Sequence, residues 1–116
     1  MAILDESVPR DLVAALVAER CQVVPFPNGW KGLKNGMLLD RLEAEGYAAL
    51  VTCDRTMRFQ QAIAKRSVDL VVLPDQRLAR LLPIARNIGV AVGLTSPGEV
   101  ILVDASGRAD VVSHRR

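Results

Sequence analysis

Apolar and polar positions alternate along this chain in blocks that favour strands and helices by turns. Short apolar runs of the length that forms buried strands occur at residues 2–5, 22–26, 48–53, 68–73, 90–94 and 99–103. Apolar residues at helical spacing follow the first four runs and predict helices over about 9–19, 36–45, 56–65 and 76–87. This alternation predicts an α/β fold in which helices cover both faces of a mainly parallel sheet.

Turn-forming and capping residues indicate where these helices begin and end. Pro9 stands in the first turn of the first helix, where its missing N–H has no cost. Asn35 is placed to cap the second helix and Gly46 to end it, and Asp75 is placed to cap the fourth. Pro83 lies inside the fourth helix and therefore predicts a kink or a break.

The expected strand order is 2-1-3-4, because right-handed crossovers leave few alternatives. A Ser-Pro-Gly turn at residues 96–98 separates the last two predicted strands and predicts a C-terminal hairpin at the sheet edge. Together these features predict one three-layer α/β/α domain over residues 1–105. Residues 106–116 are polar and are expected to form a poorly ordered tail.

Composition excludes several classes of protein. The 116 residues suffice for one domain, and because half of them are apolar we expect a folded chain rather than a disordered one. A formal net charge of +2 is far below that of a strongly basic nucleic-acid binder. Aromatic residues are too few for base-stacking platforms, and they are Phe26, Trp30, Tyr47 and Phe59.

The cysteines and the apolar runs bear on where the protein resides. Cys21 and Cys53 lack metal-ligand spacing and are interpreted as reduced core residues of a cytosolic protein. The sequence shows no secretion signal, and its apolar runs are shorter than the roughly 20 residues that cross a bilayer. We therefore expect a cytoplasmic protein with no membrane partner.

Two carboxylates stand where predicted strands end. Asp5 follows the first strand and Asp54 follows the third, and the predicted order makes these strands neighbours. Ligands of open parallel sheets bind beyond the carboxyl ends of the strands, and Mg²⁺ prefers oxygen ligands that include one or two carboxylates. The pair is therefore a candidate Mg²⁺ site that would activate water for attack on a phosphodiester. The alternative, that each Asp caps the helix after it, stays open.

Weaker candidates surround this pair. Asp75 lies at the same end of the sheet, although Pro-Asp before a helix is an ordinary capping signal. The loop over residues 27–36 offers a lip for a phosphate-bearing ligand, or else its Trp30 packs against the domain or a second subunit. Arg55 could neutralise a phosphate or could simply be solvated. His114 is the only histidine and lies in the tail, which argues against a protease-type mechanism.

Three segments carry a resemblance to a known family. The sequence ILDESVP at residues 3–9, the loop GWKGLKNG at 29–36, and LVTCDR at 50–55 with the Gln pair at 60–61 resemble the DUF5615-type PIN-like proteins. The resemblance covers roughly residues 2–103. Where many relatives carry an acidic residue, this chain has Asn35, and the nearest carboxylate is Asp40.

That resemblance implies an α/β/α fold and a ribonuclease site that uses Mg²⁺ or Mn²⁺. Asp5 and Asp54 would be catalytic metal ligands, with Asp40 and Asp75 as further candidates. RNA would contact residues of the loop and of the third strand end, namely Trp30, Lys31, Lys34, Asn35 and Arg55. Since the PIN nucleases include toxins of bacterial toxin–antitoxin pairs, an antitoxin is an expected partner.

Three functions from different classes are consistent with the sequence. The leading hypothesis is a metal-dependent ribonuclease, in particular a toxin component. The alternative is a non-catalytic interaction module with a degenerate acidic site, for which a homodimer is expected. A phosphoacceptor receiver domain ranks far behind, because the fourth strand ends at Leu73-Pro74 without a hydroxyl residue and no lysine follows Lys65.

Overall fold

A computed structural model describes residues 1–33 and 35–112 of the chain, without the side chains of Asn35, Met57 and Arg58. The strands of this part are β1 (Ala2–Leu4), β2 (Val23–Val24), β3 (Ala49–Thr52), β4 (Asp69–Val72), β5 (Val100–Val103) and β6 (Ala109–Val112). Its α-helices are α1 (Leu12–Ala18), α2 (Asn35–Ala44), α3 (Met57–Ile63), α4 (Leu78–Leu81) and α5 (Ala85–Gly93). Short 3-10 turns occupy Asn28–Trp30 and Leu82–Ile84.

The strands form one sheet in the order β2-β1-β3-β4-β5-β6. The first five strands are parallel, and β6 is antiparallel to β5. The predicted order 2-1-3-4 and the predicted three-layer α/β/α fold with a C-terminal hairpin are therefore confirmed. In the register of β1 and β3, Leu4 lies opposite Val51, which brings Asp5 beside the end of β3.

Successive strand residues alternate between two cores, one on each face of the sheet. Leu4 and Val51 face the layer of α1, α4 and α5. Ile3 and Leu50 face the layer of α2 and α3. All four are almost completely buried. Strands covered on both faces read as continuous apolar runs, which explains why these segments were recognisable in the sequence.

The four crossovers between parallel strands do not share one hand. The connection through α1 steps from β1 toward the β2 edge, whereas the connection through α4 and α5 steps from β4 toward the opposite edge. Both lie on the same face of the sheet. They therefore have opposite hands, and the right-handed rule used to limit the topology cannot hold for both. This arrangement gives α1 a partner, since α5 packs against it and covers the rest of that face.

Two sequence-based expectations near the C-terminus are wrong. Residues 90–94 were expected to form a strand, but α5 extends through Gly93. Ile88 and Ala91 face the core while Val90 and Leu94 are exposed, which is the pattern of a helix. The hairpin is accordingly made by β5 and β6, so residues 109–112, placed in a poorly ordered tail, pair with β5 instead.

The predicted boundaries of the helices agree only in part with the structure. Pro83 divides the fourth predicted helix into α4 and α5, as expected from its missing N–H. Helix α1 begins at Leu12, and Pro9 precedes it in a turn rather than standing inside it. Across residues 1–33 and 35–112, no helix combines the length and apolar character needed to cross a membrane.

Candidate functional site at the carboxyl edge

Several hydrogen bonds hold Asp5 at the point where β1 ends. Its backbone N–H donates to the carbonyl of Val51 at 2.7 Å, so that the chain stays paired with β3. Its carboxylate oxygen Oδ2 accepts bonds from Thr52 Oγ1 at 2.9 Å and from Ser7 Oγ at 2.7 Å, with a longer contact of 3.4 Å from the Ser7 N–H. The bonds are local to the turn and to β3. Asp5 therefore does not cap α1, which begins seven residues later.

Two hydroxyl groups extend this arrangement from Asp5 to Asp54. Ser7 Oγ accepts a bond from the backbone N–H of Cys53 at 3.1 Å. Thr52 Oγ1, which belongs to a fully buried residue, accepts a bond from the backbone N–H of Asp54 at 3.0 Å. The Thr52 hydroxyl thus donates to one candidate carboxylate and accepts from the backbone of the other.

Sequence reasoning overlooked Ser7 and Thr52. Both stand two positions from a candidate acid, as Asp5-x-Ser7 and Thr52-x-Asp54. Hydroxyl and carboxylate side chains at that spacing commonly bond to each other or to nearby backbone N–H groups. The spacing was therefore a usable signal, although it does not show that the two turns meet.

Asp54 follows β3 and leads into α3. Its Oδ1 accepts a bond from the backbone N–H of Thr56 at 2.9 Å, just before the helix begins at Met57. This bond closes a turn just before the helix and is not a helix cap, because the N-cap residue of α3 is Thr56. Among the described residues, Asp54 Oδ2 and Asp5 Oδ1 have no hydrogen-bond donor, which leaves one oxygen on each acid for a ligand.

Asp75 lies at the end of β4 but has its own cation. Its carboxylate accepts bonds from Arg77 Nη2 at 2.9 Å and Nε at 3.1 Å, together with the backbone N–H of Arg77. The Arg77 guanidinium holds the pKa of the Asp75 carboxyl well below its usual range. The Arg77 guanidinium thus pairs with this carboxylate in place of a metal ion. The predicted cap at Asp75 is not formed, because Arg77 is the N-cap residue of α4 and the bond to its N–H closes a turn before the helix.

Cys53 sits between these acids as a protonated thiol. Its Sγ donates to the carbonyl of Asp75 at 3.2 Å. Burial, with further contributions from the charges of Asp5 and Asp75, raises the pKa of the thiol to about 11. The thiolate that nucleophilic catalysis requires is therefore scarce at neutral pH.

Asp40 is not brought to this edge. It lies on α2, and its carboxylate pairs with Arg66 just before β4, at the opposite end of the sheet. Arg66 also pairs with Glu43 at 2.7 Å, so the arginine ties α2 to the segment that enters β4. This pairing gives Asp40 a structural role in place of the expected metal ligation.

Trp30 does not form a lip for a ligand. It is buried and packs edge-on against Phe26 and Tyr47, with ring centroids 6.2 and 5.9 Å apart. The guanidinium of Arg41 covers its ring at 5.4 Å. The expectation that Trp30 contacts a substrate is therefore wrong. The alternative, that Trp30 packs against the domain, is the one that the structure shows.

The expected substrate-binding cations are located only in part. Lys31 and Arg55 are exposed, and both follow strands at the carboxyl edge. Lys34 and the tail residue His114 lie outside the described residues, as does the side chain of Asn35, whose backbone opens α2. Lys31 also lines an open cavity of about 470 Å³ at the ends of β1 and β2.

The donor set at Asp5 and Asp54 suits a hydrated cation rather than an enclosed one. Within residues 1–33 and 35–112, no three His, Cys, Asp or Glu side chains are grouped so as to hold a metal ion. Mg²⁺ commonly keeps several waters and uses only one or two carboxylates from the protein. The two acids, each with an oxygen free of donors from the described chain, fit that mode of binding.

Comparison of the chain with protein-family models, with curated proteins and with solved structures gives no significant match. The resemblance to PIN-like proteins therefore remains a prediction.

Proposed function

We propose that this protein is a ribonuclease that uses Mg²⁺ or Mn²⁺ held at Asp5 and Asp54. The observation that carries the proposal is the Thr52 hydroxyl, which binds the Asp5 carboxylate and the Asp54 backbone at once. It couples the two acids to one buried residue at neighbouring strand ends. Such coupling favours a shared ligand over two independent helix caps.

The topology supports a ligand site between these strands. The chain leaves β1 toward α1 on one face of the sheet and leaves β3 toward α3 on the other. The two connections therefore diverge from neighbouring strands, which makes the ends of β1 and β3 a topological switch point of the sheet. Open α/β sheets bind their ligands at such a switch point.

Each residue of the site has a chemical role in this proposal. Ser7 and Thr52 bind Asp5 Oδ2 with neutral hydroxyl donors and leave the other oxygen, Oδ1, for a cation. A divalent cation at Asp5 and Asp54 would polarise the phosphoryl oxygens and lower the pKa of a bound water. Arg55 and Lys31 are exposed cations at the same edge and would hold flanking phosphates.

The proposal is tested by cleavage of a labelled single-stranded RNA with Mg²⁺ or Mn²⁺ and with EDTA. Cleavage should require the metal and should fall at least about 100-fold in Asp5→Asn and Asp54→Asn, because loss of a group that stabilises transition-state charge costs about 3 kcal/mol or more. Asn keeps a side-chain oxygen that can accept the existing bonds while it removes the charge. Asp11→Asn is the matched control, since Asp11 is exposed and makes no side-chain cap bond.

Metal binding is measured separately from cleavage. Mg²⁺ or Mn²⁺ should raise the midpoint of thermal unfolding in the unmodified chain and in Asp11→Asn, but not in Asp5→Asn or Asp54→Asn. A chain that neither responds to metal nor cleaves RNA would overturn the proposal. If that chain also forms a stable homodimer, the non-catalytic interaction module becomes the better description.

The toxin assignment is an extension of the same proposal. Induced expression in a bacterial host should arrest growth, and Asp54→Asn should relieve the arrest at equal protein level. Co-expression of an antitoxin should do the same. Growth that is unaffected by an active ribonuclease would remove the toxin assignment and leave the enzymatic proposal intact.

A further inference from the structure

The cavity of about 470 Å³ lies next to the acidic site but on the other side of β1. It is lined by Leu4, Glu6, Val8, Arg10, Phe26, Asn28 and Lys31. Leu4 and Glu6 are the two chain neighbours of Asp5, whose carboxylate turns toward β3. The cavity extends toward β2 instead, and neighbouring strands lie only about 4.8 Å apart. A ligand that crosses over the end of β1 would therefore contact both the acidic site and the cavity.

The charges of the cavity favour an anion. Arg10 and Lys31 supply two cations against the single carboxylate of Glu6. Arg10 Nη1 donates to the carbonyl of Phe26 at 3.0 Å, and this bond holds the guanidinium at the end of β2. Neither cation forms an ion pair with any residue in the described part of the chain. Both remain free to bind a phosphate.

The remaining lining is suited to a flat apolar group. Leu4, Val8 and Phe26 also line the cavity, and of these Val8 and Phe26 expose an apolar edge of 6% and 7% of the residue surface. Asn28 is exposed and carries an amide that can both donate and accept hydrogen bonds. The volume lies within the range of about 300–1,000 Å³ typical of small-molecule sites. An apolar floor beside two cations is more than a bare phosphate site requires.

We infer that this cavity binds one nucleotide of the RNA, the unit that flanks the scissile phosphate. Its phosphate contacts Arg10 and Lys31, and its base packs against the exposed apolar edges of Val8 and Phe26. The inference rests on the proposed function for the identity of the polymer. The cavity itself contains neither Asp5 nor Asp54, so its occupancy by a mononucleotide does not depend on the metal.

The inference is tested by titrating the protein with 5′-AMP in the presence of EDTA. Binding is measured from the shifts of the backbone amide signals in NMR spectra. Adenosine and inorganic phosphate serve as separate probes for the two halves of the ligand. We expect 5′-AMP to bind more tightly than either probe, with shifts concentrated at Phe26, Asn28 and Lys31. Phosphate that binds as well as 5′-AMP would reduce the cavity to an anion site and overturn the inference.

Variants that remove one positive charge from the cavity test whether 5′-AMP binds there. Lys31→Gln should weaken 5′-AMP binding about tenfold, that is by about 1.4 kcal/mol, because it removes one charge-assisted hydrogen bond to the phosphate. Lys65→Gln is the matched control, since Lys65 is an exposed lysine that follows α3 and lies outside the cavity lining. Arg10→Gln should act like Lys31→Gln, provided that its unfolding midpoint shows the end of β2 intact. Unchanged affinity in both cavity variants would overturn the inference.

The salt dependence of RNA binding gives an independent readout. For a short single-stranded RNA, the slope of log association constant against log salt concentration should become shallower by about 0.7 in Lys31→Gln. Lys65→Gln should keep the slope of the unmodified chain. An unchanged slope in Lys31→Gln would mean that no phosphate contacts this lysine.

Failure of this inference is distinguishable from failure of the proposed function. If 5′-AMP binds in the cavity but RNA is not cleaved in the presence of metal, the nuclease proposal fails and the nucleotide site stands. If RNA is cleaved with the same KM by the unmodified chain, Lys31→Gln and Arg10→Gln, the nuclease stands and the nucleotide site fails. Asp11→Asn, at an exposed acid outside the cavity lining, should bind 5′-AMP as the unmodified chain does.

Discussion

The Thr52 hydroxyl donates a 2.9 Å hydrogen bond to Asp5 Oδ2 and thereby joins the ends of β1 and β3. The two residues lie 47 positions apart in the chain. The same oxygen of Thr52 accepts the backbone N–H of Asp54 at 3.0 Å. One buried hydroxyl therefore links Asp5 and Asp54, the two candidate metal ligands. This contact is the main reason to treat them as one candidate site and not as two separate turns.

Replacement of Thr52 by valine should damage both stability and the site. Thr52→Val keeps the side-chain shape but leaves the Asp54 N–H and one lone pair of Asp5 without partners, at a cost of about 1–3 kcal/mol. Urea unfolding would measure the loss. Thr56→Val is the control, because Thr56 is exposed and makes no side-chain cap bond, and it should change stability by less than about 0.5 kcal/mol. Equal stability of the two variants would contradict the bridging role of Thr52.

The Glu43 carboxyl should titrate far below an ordinary glutamate. The hydrogen bond from Arg66, aided by the backbone and side chain of Ser67, lowers the pKa of Glu43 to about 2. Because this pKa is lowered, the resulting stability is present above the unfolded value of about 4.3 and is lost as the pH falls toward 2. Carboxyl ¹³C NMR would follow the titration.

A matched pair of arginine variants tests the cause of that shift. Arg66→Gln should return the pKa of Glu43 toward its usual value. Arg86→Gln, at an exposed arginine with no ion pair among the described residues, should leave the pKa of Glu43 near 2. A Glu43 that titrates alike in both variants would show that Arg66 does not cause the shift.

Asp69 should make the stability of the fold depend on pH in the direction opposite to that of Glu43. It is buried at the start of β4, and its Oδ1 has no hydrogen-bond partner. Burial raises the pKa of Asp69, although the nearby polar groups of Thr95, Gly98 and Glu99 oppose the effect in part. Because the pKa is raised, this contribution to stability is present below about pH 4 and is lost as the pH rises through the folded value.

Asp69→Asn removes the ionisation and isolates this contribution. The unfolding free energy of the variant, relative to the unmodified chain, should increase as the pH rises from about 4 toward neutrality. Urea unfolding at a series of pH values measures the difference. A difference that does not change with pH would show that Asp69 is not perturbed by its burial.

Trp30 should be needed for the stability of the fold but not for the binding of RNA. Trp30→Ala removes a buried ring from between Phe26 and Tyr47 and should destabilise the fold by about 3–5 kcal/mol. Trp30→Phe keeps an aromatic ring, should lose less stability and should bind RNA as the unmodified chain does. A stably folded Trp30→Phe that loses RNA affinity would restore the ligand-facing interpretation of this residue.

The sequence by itself determined the features that depend on local pattern. Continuous apolar runs such as residues 48–53 and 68–73 indicated strands covered on both faces, and Pro83 indicated a break, because burial and backbone chemistry act within a few residues. The positions of Asp5 and Asp54 at strand ends followed from the same pattern. The order of the first four strands also followed, since short crossovers leave few alternatives.

Only the tertiary structure decided what depends on packing across the sheet. Residues 90–94 form the end of a helix because Ile88 and Ala91 face the core formed with α1, and a short apolar run does not distinguish strand from helix by itself. Trp30 is buried because Tyr47, which lies after α2, packs against its ring together with the nearby Phe26. The bond between Thr52 and Asp5 arises from the register of β1 and β3, which brings together side chains that no local spacing relates.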